Sequence, residues 1–155
     1  MSVNPVSRDP STQVSLTSLS IPKFPFHWNQ VREQYPGSRR TTDYWRIRTE
    51  NLLDKLGSGY LKVSTVFKEV EYQVQCRFRE GRFYLRLDPL NQEARDGNFH
   101  THFILFNQDE SQKTIEVTPE EPLGLADMLS KEELEDPDNG WIVDGFVVVA
   151  QRIVI

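Results

Sequence analysis

Two histidines separated by one residue are the side chains in this sequence that best match metal chemistry. His100 and His102 flank Thr101, and in a β-strand a spacing of two places both imidazoles on the same face. Imidazole nitrogens bind zinc well, but a complete site needs a third and usually a fourth ligand. The remaining histidine, His27, lies in a distant N-terminal segment. We therefore predict no bound metal, and we keep a metal- or small-ligand-binding β-sandwich that uses this histidine pair as the alternative function.

Neither the cysteine nor the glycine-containing segments predict catalysis. Cys76 falls on the apolar side of an alternating stretch, where a buried thiol acts as a small hydrophobic group. The segment Gly57-Ser58-Gly59 is interpreted as a loop between strands, not as a phosphate-binding turn before a helix. The acidic stretches 116–121 and 132–138 have the composition of solvated loop and helix faces. These patterns predict a protein that is not an enzyme and that needs no cofactor.

Charge and composition argue against a general nucleic-acid-binding function. The 155 residues have a formal net charge of −5, whereas proteins that bind DNA or RNA generally present a basic surface. At 37% hydrophobic and 26% charged residues, the chain has enough apolar side chains for one sizeable core. One basic cluster is present and is interpreted as a solvated strand face; it consists of Arg39, Arg40, Arg46 and Arg48.

The sequence carries no signal for secretion or membrane insertion. Residues 1–5 lack the charged and apolar stretches of a signal peptide, and no window approaches the roughly 20 apolar residues of a membrane helix. Because Cys76 is the single cysteine, no internal disulfide can form, which fits a reducing compartment. We predict a cytoplasmic or nuclear protein that does not bind membranes.

The chain divides near residue 42 into an N-terminal tail, 1–42, and one domain, 43–155. Residues 1–22 are rich in Ser, Thr and Pro without hydrophobic periodicity, which predicts a flexible tail. Because large apolar patches are rarely exposed on soluble monomers, we expect the aromatic cluster at 24–35 to dock on the domain. An exposed motif that binds a partner is the alternative. The cluster contains Phe24, Phe26, Trp28 and Tyr35.

Alternation of apolar and polar residues predicts β-strands throughout the domain. The clearest case is 69–78, where every second residue from Val70 to Phe78 is apolar and the residues between them are polar. The segment Arg79-Glu80-Gly81 then supplies a short loop before the next alternating stretch, 83–88, so these two strands form a hairpin.

The remaining patterns complete an all-β prediction. The segment 91–98 is predicted to be a loop, and the nearly continuous apolar run 146–155 a central strand covered on both faces. One short helix is predicted at 131–135, with Ser130 as its cap. We predict an antiparallel β-sandwich of about seven to eight strands with one short helix, preceded by the flexible tail. Further strands are predicted at 45–48, 61–67, 99–106 and 114–117.

From Tyr44 onward, the ordered motifs of the chain resemble those of the MATH domain, the TRAF-like β-sandwich (meprin and TRAF-C homology). The motifs are Tyr44-Trp45-Arg46-Ile47, Ser64-Thr65-Val66-Phe67, Phe83-Tyr84-Leu85-Arg86-Leu87, Phe103-Ile104-Leu105-Phe106-Asn107, and an acidic turn at 134–145 that leads into Phe146-Val147-Val148-Val149. The chain departs from the family pattern at two positions. A usual glycine pair is replaced at 68–71, and a frequent W-G-F motif is present as Leu123-Gly124-Leu125.

The resemblance implies a module that binds a peptide or partner protein. In the family, an extended peptide lies in a groove across one sheet and pairs with an edge strand, for example in the substrate-recruiting part of a ubiquitin-ligase adaptor or in a scaffold. An arginine in that groove, Arg86, would pair with an acidic or phosphorylated ligand, although exposed strand arginines are also common. Residues 1–42 contain no heptads, so a monomer is expected. The groove residues that the order of motifs implies are Tyr84, Arg86, Thr101, Leu123, Gly124 and Leu125.

Overall fold

The chain folds into two antiparallel β-sheets that pack face to face. The computed structural model describes residues 14–17, 19, 21–25, 27–50 and 60–155, with only the backbone given for 14–17 and 60–64. The strands are β1 (Val14–Thr17), β2 (Gln30–Gln34), β3 (Arg40–Arg48), β4 (Tyr60–Phe67), β5 (Val70–Arg79), β6 (Arg82–Pro89), β7 (His100–Leu105), β8 (Thr114–Val117), β9 (Ala126–Ser130) and β10 (Phe146–Val154). The short helices are α1 (Gln92–Asp96) and α2 (Lys131–Glu135), and a 3₁₀ turn spans Pro137–Asn139.

The two sheets differ in size. The larger has six strands in the order β1-β8-β7-β10-β3-β2, and the smaller has four in the order β4-β5-β6-β9. Every pairing between these strands is antiparallel. The predicted fold class, an all-β antiparallel sandwich with little helix, is confirmed.

The predicted hairpin is formed by β5 and β6. Alternate residues of β5 from Val70 to Cys76 are buried, as the period of two requires. Glu80 and Gly81 have φ angles of 51° and 77°, so both central residues of the two-residue turn are left-handed. Such turns match the right-handed twist of the two strands, which fixes the register of the hairpin. The hairpin prediction is therefore confirmed.

The core lies between the two sheets and consists of aromatic and aliphatic side chains from both. Its largest fully buried members are Phe67, Tyr72, Phe83, Leu85, Leu87, Phe103 and Leu105. The predicted central strand is β10, which lies between β7 and β3. Residues Val147–Gln151 are all buried because β10 is covered on both faces.

A second apolar layer lies on the outer face of the larger sheet. Its buried members are Tyr44, Ile104, Phe106, Val148 and Ala150. It is covered by three side chains of the N-terminal segment, Ile21, Phe24 and Trp28, which we call the aromatic cover. The Phe24 ring lies 4.9 Å from the Trp28 ring and 5.0 Å from the Tyr44 ring. The expected docking of the aromatic cluster is therefore confirmed for Phe24 and Trp28, and Ile21, which lies before the predicted cluster, packs beside them.

Other residues of that cluster differ from the expectation or lie outside the described residues. Tyr35 is 73% exposed, in the connection between β2 and β3. Phe26 and most of 1–22 lie outside the part that the structure describes, as does the glycine-containing loop predicted at 57–59.

The sheet extends to the N-terminal side of the predicted boundary at residue 42. Strand β3 begins at Arg40, and β2, at 30–34, pairs with it along the edge of the larger sheet. Strand β1 likewise pairs with β8 at the opposite edge. These short segments lack alternation because an edge strand is held mainly by its backbone pairing with a neighbour. Their membership of the sheet was therefore not visible in the sequence.

Two further elements differ from the prediction. The segment predicted as a loop at 91–98 contains α1, with the Asn91 side chain accepting a hydrogen bond from the Ala94 amide and Gly97 ending the helix at φ 67°. Strand β9 was not predicted, and it pairs with β6 across an irregularity between Phe83 and Tyr84. Its short, irregular pairing leaves no alternating pattern. The other helix, α2, has the expected Ser130 cap.

Candidate functional site

The outer face of the smaller sheet presents a group of charged and polar side chains. Strand β6 alternates strictly, so Phe83, Leu85 and Leu87 are buried in the core while Tyr84 and Arg86 point to the other face and are half-buried. We call this outer surface the arginine face. It comprises Gln75 and Arg77 from β5, Arg82, Tyr84, Arg86 and Asp88 from β6, and Asp127 from β9.

The carboxylates of the arginine face are bound to groups other than Arg86. The Arg82 Nε atom lies 2.7 Å from one Asp127 oxygen and 2.9 Å from the other. The Gln75 side chain, opposite Arg86 in the register, donates a 3.0 Å hydrogen bond to Asp88. Asp127 is thus paired with the cation Arg82, whereas Asp88 is bound by the neutral Gln75 amide and keeps its charge, and neither acid contacts Arg86.

Arg86 is left without a partner for its charge. Its Nε atom is buried and has no hydrogen-bond acceptor. In the described part of the chain, the Arg86 guanidinium makes no hydrogen bond or ion pair. A buried donor without an acceptor costs about 1–3 kcal/mol, so Arg86 lowers the stability of the fold at this position.

The segment that precedes β9 lies beside Arg86. Ala126 is the Cα partner of Leu85 and the last paired residue, so continuing the antiparallel register by one residue brings Leu125, which is 38% exposed, level with Arg86. Leu123 packs against the core, and the Gly124 amide closes a turn by donating a 2.9 Å hydrogen bond to the Glu121 carbonyl. A side chain at Gly124 would approach that carbonyl to 3.2 Å. Tyr84, Arg86 and Leu125 thus lie together, whereas Leu123 faces inward.

Thr101 does not belong to this surface. It lies in β7 of the larger sheet, is 2% exposed and faces the core. Its hydroxyl accepts a 2.9 Å hydrogen bond from the Gln151 side chain. The alternation of β7 explains this position, because His100 and His102 occupy the outer face and Thr101 between them must face inward. The structure therefore does not bring Thr101 together with Arg86.

A buried ion pair between the sheets is a feature that the sequence patterns did not reveal. Asp43 is fully buried, and its oxygens accept hydrogen bonds of 2.7 and 3.0 Å from Arg32 on β2. Arg32 also donates to the Val66 carbonyl and to the Thr65 hydroxyl on β4. The hydrogen bonds to Asp43 raise the pKa of Arg32. Arg32 therefore joins the edge strands of the two sheets while neutralising a buried carboxylate.

Tyr72 completes this buried cluster. Its hydroxyl lies 3.4 Å from the Asp43 Oδ2 atom. Burial, and then the nearby Asp43 charge, raise the pKa of Tyr72 above its usual range, so the phenol stays protonated as a donor. Because the Tyr72 hydroxyl is buried, its contact with Asp43 is suited to a structural role, which is to hold the two sheets together.

His100 and His102 lie on the outer face of the larger sheet, as the spacing predicts. His102 Nδ1 lies 2.7 Å from the Thr118 hydroxyl. Burial lowers the pKa of His102, and the nearby Arg152 charge adds to this while Glu116 opposes it. Among the residues that the structure describes, no group of three His, Cys, Asp or Glu side chains could hold a metal ion. In that part of the chain, the histidine pair has no third ligand.

Cys76 lies in the core, and burial raises the pKa of its thiol to about 12. At neutral pH this thiol is protonated, and the thiolate is the nucleophilic form.

Two comparisons of the sequence with known proteins identify no relative of this chain. No protein-family model matches the chain, and no curated protein matches it significantly in sequence. The resemblance to the MATH domain therefore rests on the ordered motifs alone. In the described part of the chain, no helix is long and apolar enough to cross a membrane.

Proposed function

We propose that the protein is a peptide-binding interaction module of the divergent MATH type, without catalytic activity. A ligand with an acidic or phosphorylated side chain lies along β9 and across the arginine face, with that side chain at Arg86. Such a module recruits a partner protein, in the manner of a ubiquitin-ligase adaptor or a scaffold in the cytoplasm or nucleus. Arg86 carries this proposal.

The chemistry of Arg86 supports an anionic ligand group. A guanidinium presents paired donors that match the two oxygens of a carboxylate or phosphate. The neighbouring acids, Asp88 and Asp127, are bound to Gln75 and Arg82. An incoming acid would meet a cation that has no ion pair among the described residues, and it would bind the Arg86 Nε atom, which is buried, only after the Arg86 side chain moves outward.

The edge of the smaller sheet supports an extended ligand. Strand β9 pairs with β6 on one side, and no other strand of the described residues pairs with its second side. An open edge can accept a peptide as an added strand, whose backbone supplies affinity while side-chain contacts select the sequence. Leu125, beside Arg86, offers an exposed apolar contact for a neighbouring ligand side chain.

Peptide binding to the whole chain tests this proposal. An array of decapeptides, each made with a central glutamate, phosphoserine, glutamine or lysine, would be probed and the hits measured by fluorescence anisotropy. We expect hits only with the anionic centres. Arg86→Glu weakens them at least about 10-fold, and Arg86→Lys weakens them less because it keeps the charge but loses the paired donors.

The matched control is Arg40→Glu, the same charge change on the larger sheet, where the Arg40 side chain is exposed. It leaves the affinity within about twofold, because Arg40 is exposed on the other sheet and salt screens exposed charges. Hits that prefer the lysine centre, or that survive Arg86→Glu unchanged, would show that the arginine face is not the binding site.

A further inference from the structure

A continuous groove crosses the end of the sandwich at which β6 leads into α1. It consists of two adjoining pockets of about 390 and 400 Å³ that share Asn98, Phe99 and Ile155 as lining residues. We call it the end groove. Its first pocket has an apolar floor made by the buried side chains of Val70 and Phe99 together with Ile155.

The walls of the end groove are held in place by hydrogen bonds. The Asn91 side chain donates to the Glu69 carbonyl at 2.6 Å and accepts from the Glu71 amide at 3.2 Å, which fixes α1 against the turn between β4 and β5. On the opposite side, the Ile155 amide donates a 2.8 Å hydrogen bond to the Arg39 carbonyl. The groove is therefore formed before any ligand arrives, which reduces the ordering that binding would require.

The rim of the end groove is acidic. The exposed carboxylates of Glu69, Glu93 and Asp96 surround the apolar floor, and Glu120 lines the second pocket. Within the described residues, none of these four carboxylates forms an ion pair. Lys68 is the one lysine or arginine among the lining residues of the two pockets. Four carboxylates against one lysine give the lining a net negative charge beside the apolar floor.

We propose that the end groove is a second docking site, for a partner segment in which an apolar side chain is flanked by lysine or arginine. The apolar side chain occupies the floor at Val70 and Phe99, and the flanking cations pair with Glu69, Glu93 and Asp96. This ligand has the opposite charge to the one proposed for Arg86. The protein would then hold two different segments, one on the arginine face and one at this end.

The first residues of the chain itself are a competing occupant. Val14 of β1 pairs with Val117, and Val117 pairs with Phe103 in the middle of β7, so the N-terminal end of β1 is the one nearer the groove. Residues 1–13 include Val6 and Arg8, and 13 extended residues span at most about 45 Å. A test of the partner segment must therefore separate it from the chain's own N-terminal residues.

Backbone amide signals in NMR spectra of the whole chain report occupancy of the groove. The probe is an acetylated and amidated pentapeptide, Gly-Lys-Leu-Lys-Gly. Its controls replace both lysines with glutamate, or the leucine with serine. We expect the probe alone to move the amides of Val70, Gly97 and Asn98, with a dissociation constant that rises several-fold between 50 and 500 mM salt.

Charge reversal on the rim localises the site. Glu93→Lys weakens the probe about fivefold, because one attractive exposed pair becomes repulsive. Glu110→Lys, the same change at an exposed residue near the opposite end, leaves binding unaltered. Arg86→Glu also leaves binding of the probe unaltered. The experiment therefore distinguishes an error in the proposal for the arginine face from an error in the proposal for the end groove.

Three results would overturn the proposal. The first is equal movement of the same amides by the glutamate peptide, and the second is unchanged binding of the probe to Glu93→Lys. The third is movement of those amides by Arg8→Glu with no peptide present, which would assign the groove to the chain's own N-terminal residues.

Discussion

The two outer faces of the sandwich differ because only the larger sheet carries a covered apolar layer beside its polar and basic side chains. On the larger sheet, the outward side chains of Tyr44, Ile104 and Val148 are apolar and lie under the aromatic cover. On the smaller sheet, the outward side chains of β5 and β6 are polar or charged, and Tyr84 and Arg86 are only half-buried. The chain's own N-terminal segment covers part of the first face, whereas no segment of the described residues covers the second in this way.

The arginines of the two faces show the same difference. Arg46 and Arg48, on the larger sheet, lie over the Phe146 ring with their guanidinium carbons 3.9 and 5.0 Å from its centroid. The sequence suggested that the basic cluster is a solvated strand face. Two of its four arginines, Arg46 and Arg48, instead stack on an aromatic ring. Arg86 has no such contact among the described residues. An arginine that already has an internal partner stabilises the fold, whereas one without a partner is suited to recognition.

Truncating one aromatic residue on each face gives the largest expected contrast. Phe106→Ala removes a 2% exposed ring beneath the aromatic cover and should lower the free energy of unfolding by about 3–4 kcal/mol. Tyr84→Ala, on the arginine face, should cost less than about 1 kcal/mol. Urea unfolding followed by tryptophan fluorescence measures both. Equal losses would mean that the smaller sheet's outer face is also part of a packed layer.

The aromatic cover itself can be removed at Trp28. Trp28→Ala should lower the free energy of unfolding by about 1–3 kcal/mol, because a partly buried ring in contact with Phe24 is lost. The control Tyr35→Ala, at a 73% exposed ring, should stay within about 0.5 kcal/mol. If Trp28→Ala left the melting temperature intact and abolished peptide binding, the aromatic segment would be the recognition surface instead of the arginine face.

Replacing one arginine on each face separates stability from binding. Arg86→Met should raise the free energy of unfolding by less than about 1 kcal/mol, because it removes a buried donor that has no acceptor. Arg46→Met should cost about 0.5–1 kcal/mol through loss of its contact with Phe146. Thermal unfolding in parallel with the peptide assay gives both quantities. A marked loss of stability in Arg86→Met would assign Arg86 a structural role.

The smallest expected effect is a pH dependence on the covered face. The pKa of His102 in the folded protein is lowered, chiefly by burial, so below about pH 6.5 the unfolded chain binds more protons than the folded one. Stability is therefore fully present above that pH and falls as the pH drops toward the folded pKa. His102→Gln should remove this loss. An unchanged pH profile in His102→Gln, measured by urea unfolding between pH 5 and 8, would refute this assignment.

The sequence predicted the candidate site only in part. Alternation placed Tyr84 and Arg86 on one side of a strand correctly, because neighbouring positions of a strand must face opposite ways. The same rule, applied between His100 and His102, would have excluded Thr101, which the order of motifs had placed in the groove. The open edge of β9 could not be predicted, since a short irregular strand leaves no periodic pattern and is recognised only by its pairing with β6.

The sequence by itself determined the features that depend on residues close together along the chain. The β5–β6 hairpin, the buried face of β5, the central position of β10 and the Ser130 cap all follow from residue spacing and local hydrogen bonding. Tertiary structure alone decided that Asp43 is buried against Arg32 and that the aromatic cover lies on Tyr44. It also decided that Arg86 forms no ion pair or hydrogen bond within the described residues. These depend on side chains that are distant in sequence, and one-dimensional periodicity carries no information about which of them meet.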